Sequence, residues 1–265
     1  QSSWMWRAVS RQAMSSASFG PGAAMAVRAA ARCAWLGRRR AAVPGSGLRL
    51  RRCRHGFMLY RLNDVFIGRS LELYGEMGEL EVRALCALVE PGDIVLEIGA
   101  NIGTNLVPLA RRVGPQGRVF AFEPQRHIHQ VLCANVAMNG LANVAALWAA
   151  AGAEPGALTV PQLDYAARGN FGGISLAAAG PGSAGESVPV MTVDGLRLRA
   201  CRLIKIDVEG MEIDVLRGAA DTIARLRPRL YTENDRREKS AALIGHVLGL
   251  GYRCYWHLPP LFNPD

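Results

Sequence analysis

The stretch VLEIGANIGTN, Val95 to Asn105, constrains the fold more than any other part of the chain. An apolar run from Ile94 to Ile98, broken only by Glu97, enters a Gly-Ala-Asn-Ile-Gly turn. Leu106, Leu109, Ala110 and Val113 then recur at helical spacing. The order strand, tight turn, helix aims backbone N–H groups and a helix N-terminus over the strand end, which suits a nucleotide-like ligand. The theme repeats downstream. The sequence predicts strands at 94–98, 118–124, 144–150, 202–208, 229–234 and 252–258, and helices at about 103–113, 125–139, 211–226 and 238–249. Such alternation gives an α/β fold, a mostly parallel sheet with helices on both faces. Ahead of it, FMLYRL and DVFIG read as short strands and 78–90 as a helix closed by Pro91-Gly92, while 154–200 hold Gly- and Pro-rich turns with short strands such as SVPVMTV.

The formal charge of +9 suggests an anionic partner until its distribution is examined. Twelve arginines and no acidic residue lie between Gln1 and Asn63, which leaves 19 basic against 22 acidic residues beyond. The excess is terminal and is not interleaved with aromatics, so a nucleic-acid groove is disfavoured. Residues 1–56 read as a disordered or untidy Arg/Ala-rich segment. Its composition also resembles an organellar transit peptide. The ratio of 29 Arg to 2 Lys over the whole chain, as GC-rich coding gives, favours an over-extended terminus instead. Residues 57–265 read as one domain. The six cysteines form no CxxC pair, so neither zinc nor a disulfide framework is indicated, and reduced thiols point to a cytoplasmic protein. No run approaches the roughly 20 apolar residues of a membrane span.

The spacing of the glycines selects among nucleotide-like ligands. A dinucleotide site uses G-x-G-x-x-G so that the backbone meets a pyrophosphate. Here the glycines are Gly99 and Gly103, and Glu97 would repel a pyrophosphate. S-adenosylmethionine carries an ammonium and a sulfonium and no phosphate, so electrostatics favours it over a nicotinamide dinucleotide. Glu123, at the end of the second strand and twenty residues after Gly103, is placed to accept hydrogen bonds from ribose hydroxyls. Each acid alone would serve equally as a strand-end or helix-start residue; the pair in register on consecutive strands favours a ligand.

Several motifs in order, PGDIVLEIGANIG, VFAFEPQ, CANVAMNGLANV and LIKIDVEGMEIDVLRGA, resemble those of the FkbM-type S-adenosylmethionine-dependent methyltransferases. YGEMGELE, YTEND and WHLPPLFNPD extend the resemblance from about Phe57 to the last residue. It implies a Rossmann-like class I methyltransferase sheet, with Glu97, Gly99, Asn101, Gly103 and Glu123 at the cofactor. It also implies O-methylation of a hydroxylated small molecule such as a sugar or glycosylated metabolite. The chain stops at Asp265, where the family would supply a final antiparallel strand, so the sheet is expected to lack it and to carry an exposed edge. That gap motivates a second reading, a truncated non-catalytic remnant.

LIKIDVEGMEIDVL is where the chemistry is expected, because ligands of open parallel sheets bind beyond the carboxyl ends of the strands. If 203–209 stays extended, Lys205, Asp207 and Glu209 share one face. Asp207 or Glu209 would then accept the hydroxyl proton or hold the acceptor, with Lys205 orienting the carboxylate; the bland reading is a buried ion pair locking the strand end. Glu233 and Asn234 with Asp207 would make an oxygen set suited to Mg2+, a reading that stands second to capping of the next helix by Asn234 and Asp235. No metal ligand is assigned. Asn135 and Asn139 share a helix face, one of them within reach of a loop or the cofactor region and Asn139 suited to the helix end before Gly140. NFGGIS (170–175) reads as an acceptor-side loop, and Trp256 and His257 as candidates for an acceptor wall. His127 and His129 read as surface residues.

Overall fold

The structure, a computed structural model, describes residues 5–9, 40–43, 45–174 and 184–260. The expectation of disorder over 10–39 and the Ser175 end of the NFGGIS loop lie outside the described residues. In chain order the N-terminal elements are β1 (Met5–Val9), β2 (Arg40–Val43), β3 (Leu48–Cys53), β4 (Gly56–Arg61), α1 (Ile67–Tyr74) and α2 (Glu79–Ala87). Then come β5 (Ile94–Ile98), α3 (Leu106–Val113), β6 (Arg118–Phe122), α4 (Arg126–Met138), β7 (Val144–Leu147), β8 (Ala150–Ala151), β9 (Gly156–Pro161) and β10 (Gly185–Met191). The chain ends with β11 (Leu203–Ile206), α5 (Glu212–Arg217), α6 (Ala220–Leu226), β12 (Arg229–Glu233), α7 (Arg237–Gly249) and β13 (Arg253–His257).

Seven strands form the central sheet in the order β13-β1-β12-β11-β5-β6-β7, with β12, β11, β5, β6 and β7 mutually parallel. From β5 the chain moves outward through β6 to β7, then returns to the other side of β5 for β11 and β12. The crevice left at this reversal, beyond the carboxyl ends of β5 and β11, is where such sheets take ligands. Both faces are covered, so β5 (IVLEI) and β11 (LIKI) are buried along almost their whole length. Val95, Val119, Leu203 and Tyr231 pack with α3, α4 and the N-terminal sheet on one face; Leu96, Ile98, Ile204, Ile206 and Leu230 pack with α5, α6 and α7 on the other.

Two expectations change here. The antiparallel strand expected to be missing is present between β12 and β13, but it comes from the other end of the chain: β1 lies antiparallel to both, Met5 opposite Glu233 and His257. The segment 1–56 also contributes β2 and β3, which form an antiparallel sheet with β4. Three of its arginines have partners that lie later in the sequence. Arg51, 1% exposed, donates to the carbonyls of Leu71 and Glu72; Arg49 pairs with Glu72, and Arg54 with Glu76 and Glu79. Two smaller differences have local causes. In DVFIG, Asp64 Oδ1 accepts the Phe66 N–H (2.9 Å) in a turn, and Ile67 and Gly68 already open helix α1. The helix expected over 211–226 is broken at Gly218, where a Cβ would stand 2.0 Å from the Gly152 carbonyl oxygen.

Candidate active site

Strand register builds the floor of the site. Ala121, Glu97, Lys205 and Tyr231 lie side by side across β6, β5, β11 and β12, so two charged residues sit in a row that is otherwise core. Glu97 is 1% exposed and Lys205 2% exposed. Lys205 Nζ donates to Asp207 Oδ2 at 2.9 Å. Burial works against its charge, but Asp207, Glu81 and Glu97 outweigh that and raise its pKa. Glu97 Oε2 is buried without a hydrogen-bond partner among the described residues. Burial pushes the Glu97 carboxyl up to about 8, against the pull of Lys205.

Above the end of β5 the chain turns at Gly99, with φ at +83°, where a Cβ would lie 1.8 Å from the Asp207 carbonyl oxygen. Only glycine lets the ends of β5 and β11 approach so closely. Gly99 and Ala100 donate their N–H groups to the Phe122 carbonyl at 3.0 and 2.9 Å. Asn101 takes a left-handed conformation, φ 49°, and its N–H donates to Glu123 Oε2 at 3.0 Å. Glu123 Oε1 accepts the Gln125 N–H at 2.8 Å. Each oxygen keeps a lone pair for a ligand hydroxyl. Burial raises the Glu123 carboxyl to about 7.

Of the residues marked in the sequence, Glu97, Gly99, Asn101, Glu123, Lys205, Asp207 and Glu209 line one cavity of about 800 Å³. Gly103 does not; it stands behind the wall, against Leu132. Trp256 and His257 are also absent from the lining, and His257 Nδ1 lies 2.8 Å from the Tyr231 hydroxyl. Glu209 arrives by a different route from the one expected: β11 ends at Ile206, and a left-handed Glu209, φ 55°, swings its side chain into the cavity, where Arg236 holds it at 2.6 Å. Burial and the nearby Asp207 charge raise the Glu209 carboxyl to about 7. For Asp207 burial pulls upward too, but the Lys205 ammonium and a hydrogen bond with Glu233 prevail and hold it below its ordinary range. Burial and then Asp207 push Glu233 up, so it is the protonated partner of that pair.

Oxygens of Asp207, Glu209 and Glu233 lie within 4.8 Å of one another. Lys205 and Arg236 already balance the two charged members, and Asn234 is turned away, its Nδ2 donating to Ser240 Oγ at 2.9 Å. That donor set does not suit Mg2+, which wants uncompensated oxygens.

Two contributors were not singled out from the sequence. Glu81 of α2 faces Lys205, accepts from Asn105 Nδ2 at 3.2 Å, and is raised by burial to about 7. A signal existed, since Glu81 stands four residues before Leu85 on the buried stripe of its helix. Gln125 donates to the Phe171 carbonyl at 2.8 Å and accepts from the Tyr165 hydroxyl at 3.1 Å, tying the 163–173 loop to the strand end that carries Glu123. His127, expected at the surface, is half-buried, its Nε2 2.9 Å from Arg61 Nε and its ring tilted against Tyr165 at 4.6 Å between centroids.

Glu97, Glu123 and Glu81 bind protons more tightly in the folded chain than in the unfolded one. Such groups favour folding fully below about pH 4.5, and their contribution is lost as pH rises through about 7 to 8. The ligand-free chain should therefore melt about 5–10 °C lower at pH 8.5 than at pH 5.5. Scanning calorimetry across that range checks this, and a flat or rising profile would contradict it.

A reversing parallel sheet with a glycine turn and an acid-lined crevice defines an α/β protein of the class that takes its ligand beyond the carboxyl ends of the strands. The chain belongs to the methyltransferase FkbM domain family, whose model matches residues 97–254. Among solved structures it is similar to methyltransferase FkbM from Methylobacillus flagellatus KT, with 22% identity, 60% of this chain and 37% of that one covered, and a TM-score of 0.43. It is also similar to precorrin-6y C5,15-methyltransferase from Geobacter metallireducens GS-15, with 13% identity, 65% and 70% of the two chains covered, and a TM-score of 0.42. A third is Trm5b from Pyrococcus abyssi, with 12% identity, 79% and 48% covered, and a TM-score of 0.44. The chain thus spans little more than a third of the length of the Methylobacillus protein. No curated protein matches it. No helix among the described residues is long and apolar enough to cross a membrane.

Proposed function

We propose that the chain is an S-adenosylmethionine-dependent O-methyltransferase acting on a hydroxyl of a small metabolite, a sugar or glycosylated compound by preference. The observation that carries the reading is the unpartnered, fully buried Glu97 oxygen facing the cavity beside a glycine turn that Glu123 braces. Glu97, pushed up to about 8 by burial in the ligand-free chain, is a carboxyl that a bound cation would ionise, so this wall fits a ligand with an ammonium and a sulfonium better than a pyrophosphate. Glu97 would hold the ammonium, Glu123 the ribose hydroxyls, and Gly99 and Asn101 the turn beside them. When bound, S-adenosylmethionine supplies an electrophilic methyl group on sulfur. A cavity of about 800 Å³ is of the size that small-molecule ligands occupy.

The acceptor side falls to the charged end of the crevice. Asp207, ionised and fixed by Lys205, accepts a hydrogen bond from an acceptor hydroxyl. Glu209, titrating near neutrality, receives the hydroxyl proton on its carboxylate, as a general base matched to the working pH should. Phe66, Ile67 and Ile174 give the same cavity an apolar side. The reading as a non-catalytic remnant drew on an open place in the sheet, and β1 fills that place.

Isothermal titration of S-adenosylmethionine into the 265-residue chain, beside a Glu123→Ala variant, is the direct test. Saturable binding that weakens at least about tenfold in the variant is expected, since two ribose hydroxyls lose a charged acceptor. Binding of NADH in place of S-adenosylmethionine would overturn the reading.

A further inference from the structure

Helix α4 carries Asn135 and is followed at its C-cap by Asn139, and both reach back to β4. Asn139 Oδ1 accepts the Phe57 N–H at 3.0 Å and its Nδ2 donates to the Phe57 carbonyl at 2.7 Å. One helical turn earlier, Asn135 Oδ1 accepts the Leu59 N–H at 2.6 Å and its Nδ2 donates to the Leu59 carbonyl at 3.1 Å. Four helical residues advance about 6 Å and two strand residues about 6.6 Å, so the pairs stay in step. The two side-chain amides therefore take the place of a neighbouring strand along the edge of β4 that β3 leaves free.

Asn135 does one thing more. It is wholly buried, and its second amide hydrogen goes to the Ile102 carbonyl at 2.8 Å. Ile102 sits inside the glycine turn, between the left-handed Asn101 and Gly103 with φ +92°. A left-handed non-glycine residue persists only where its surroundings over-determine it. At the other end of the same side chain, β4 runs on into the segment that gives the cavity Phe66 and Ile67, and which binds the 163–173 loop through Val65 N–H to Gly169 O (3.0 Å) and Gly169 N–H to Asn63 O (3.1 Å).

We infer that Asn135 is a positioning residue for methyl-donor binding: its amide locks the Ile102 peptide of the cofactor turn to strand β4, so that the turn and the wall formed by Phe66 and Ile67 are set by one side chain. This rests on the cofactor reading of the Gly99–Gly103 turn. Asn139 supplies the internal control, because it docks the same strand from the same helix face without touching the turn.

The experiment compares the full chain with Asn135→Ala and Asn139→Ala. S-adenosylmethionine is titrated calorimetrically at a temperature where each protein is folded. Both variants should melt lower, yet only Asn135→Ala should weaken binding, by about tenfold, the effect of one buried hydrogen bond left unmade. Amide hydrogen exchange on the unaltered chain gives a second readout that survives a misfolded variant. If the turn and β4 are linked through Asn135, ligand binding must slow exchange of the Leu59 N–H as well as that of the turn. Equal affinity in Asn135→Ala and the unaltered chain, or a Leu59 exchange rate indifferent to ligand, would overturn the inference. Failure of the unaltered chain to bind S-adenosylmethionine would instead remove the cofactor reading, and the inference with it.

Discussion

Glu209→Gln should lower the turnover number by about 10²–10⁴-fold and remove the pH dependence of the rate near neutrality. Three carboxyls, Asp207, Glu209 and Glu233, cluster in the crevice, and their environments set them apart. Asp207 is held ionised by Lys205, so it is a weak base. Glu233 is pushed up by burial and by Asp207 and stays protonated. Glu209, at about 7, is the one whose ionised form is both populated and basic at the working pH. Because the base must be ionised, the rate should rise with pH through about 7 and then level off. The Glu209→Gln variant should be flat and slow. Production of S-adenosylhomocysteine with any hydroxylated acceptor that supports turnover provides the measurement. A variant with full activity and an intact pH limb would exclude Glu209 as the base.

What the sequence made legible, and what it hid, follows from how far apart the determining residues lie. Glu97 and Glu123 were readable because each is fixed by its own strand end and the turn that follows, a matter of five or six consecutive residues. The alternation of elements from Ile94 onward was readable for the same reason. An extended period of two puts Glu209 on the face of Lys205 and Asp207, whereas the strand stops at Ile206 and a left-handed turn brings its side chain into the same cavity. A positive φ at a glutamate leaves no mark in composition. Glu81 and Gln125 were missed because what matters about them is the company they keep, Lys205 for the one and the Phe171 carbonyl for the other. Least legible was β1, whose partners Glu233 and His257 lie more than two hundred residues away. Local patterning in an arginine-rich segment gives no hint of a place waiting at the far end of the chain.

Lys205→Met should cost about 3–5 kcal/mol of stability at pH 8 and distinctly less at pH 5.5. The ammonium is 2% exposed and faces Asp207, Glu81 and Glu97, so removing it strands acidic groups with no opposite charge. The direction with pH follows from the two partners. Lys205, raised in the folded state, stabilises fully below its unfolded value of 10.5; Asp207, lowered, stabilises above its unfolded value of 3.8. Between about pH 5 and 8 the pair in the unaltered chain is therefore fully formed, and its contribution is flat. Without Lys205 the Asp207 carboxyl rises with its neighbours, the folded state takes up protons that the unfolded chain does not, and acid relieves the repulsion. The loss of stability should accordingly shrink as the pH falls. Urea unfolding of both proteins at the two pH values measures it. A penalty below about 1 kcal/mol at pH 8, within the reach of a surface pair, would mean that water rather than Lys205 compensates these carboxylates. A large penalty equal at both pH values would mean that the methionine disturbs packing of the β5–β11 floor, and that charge in this row of the sheet is incidental to its stability.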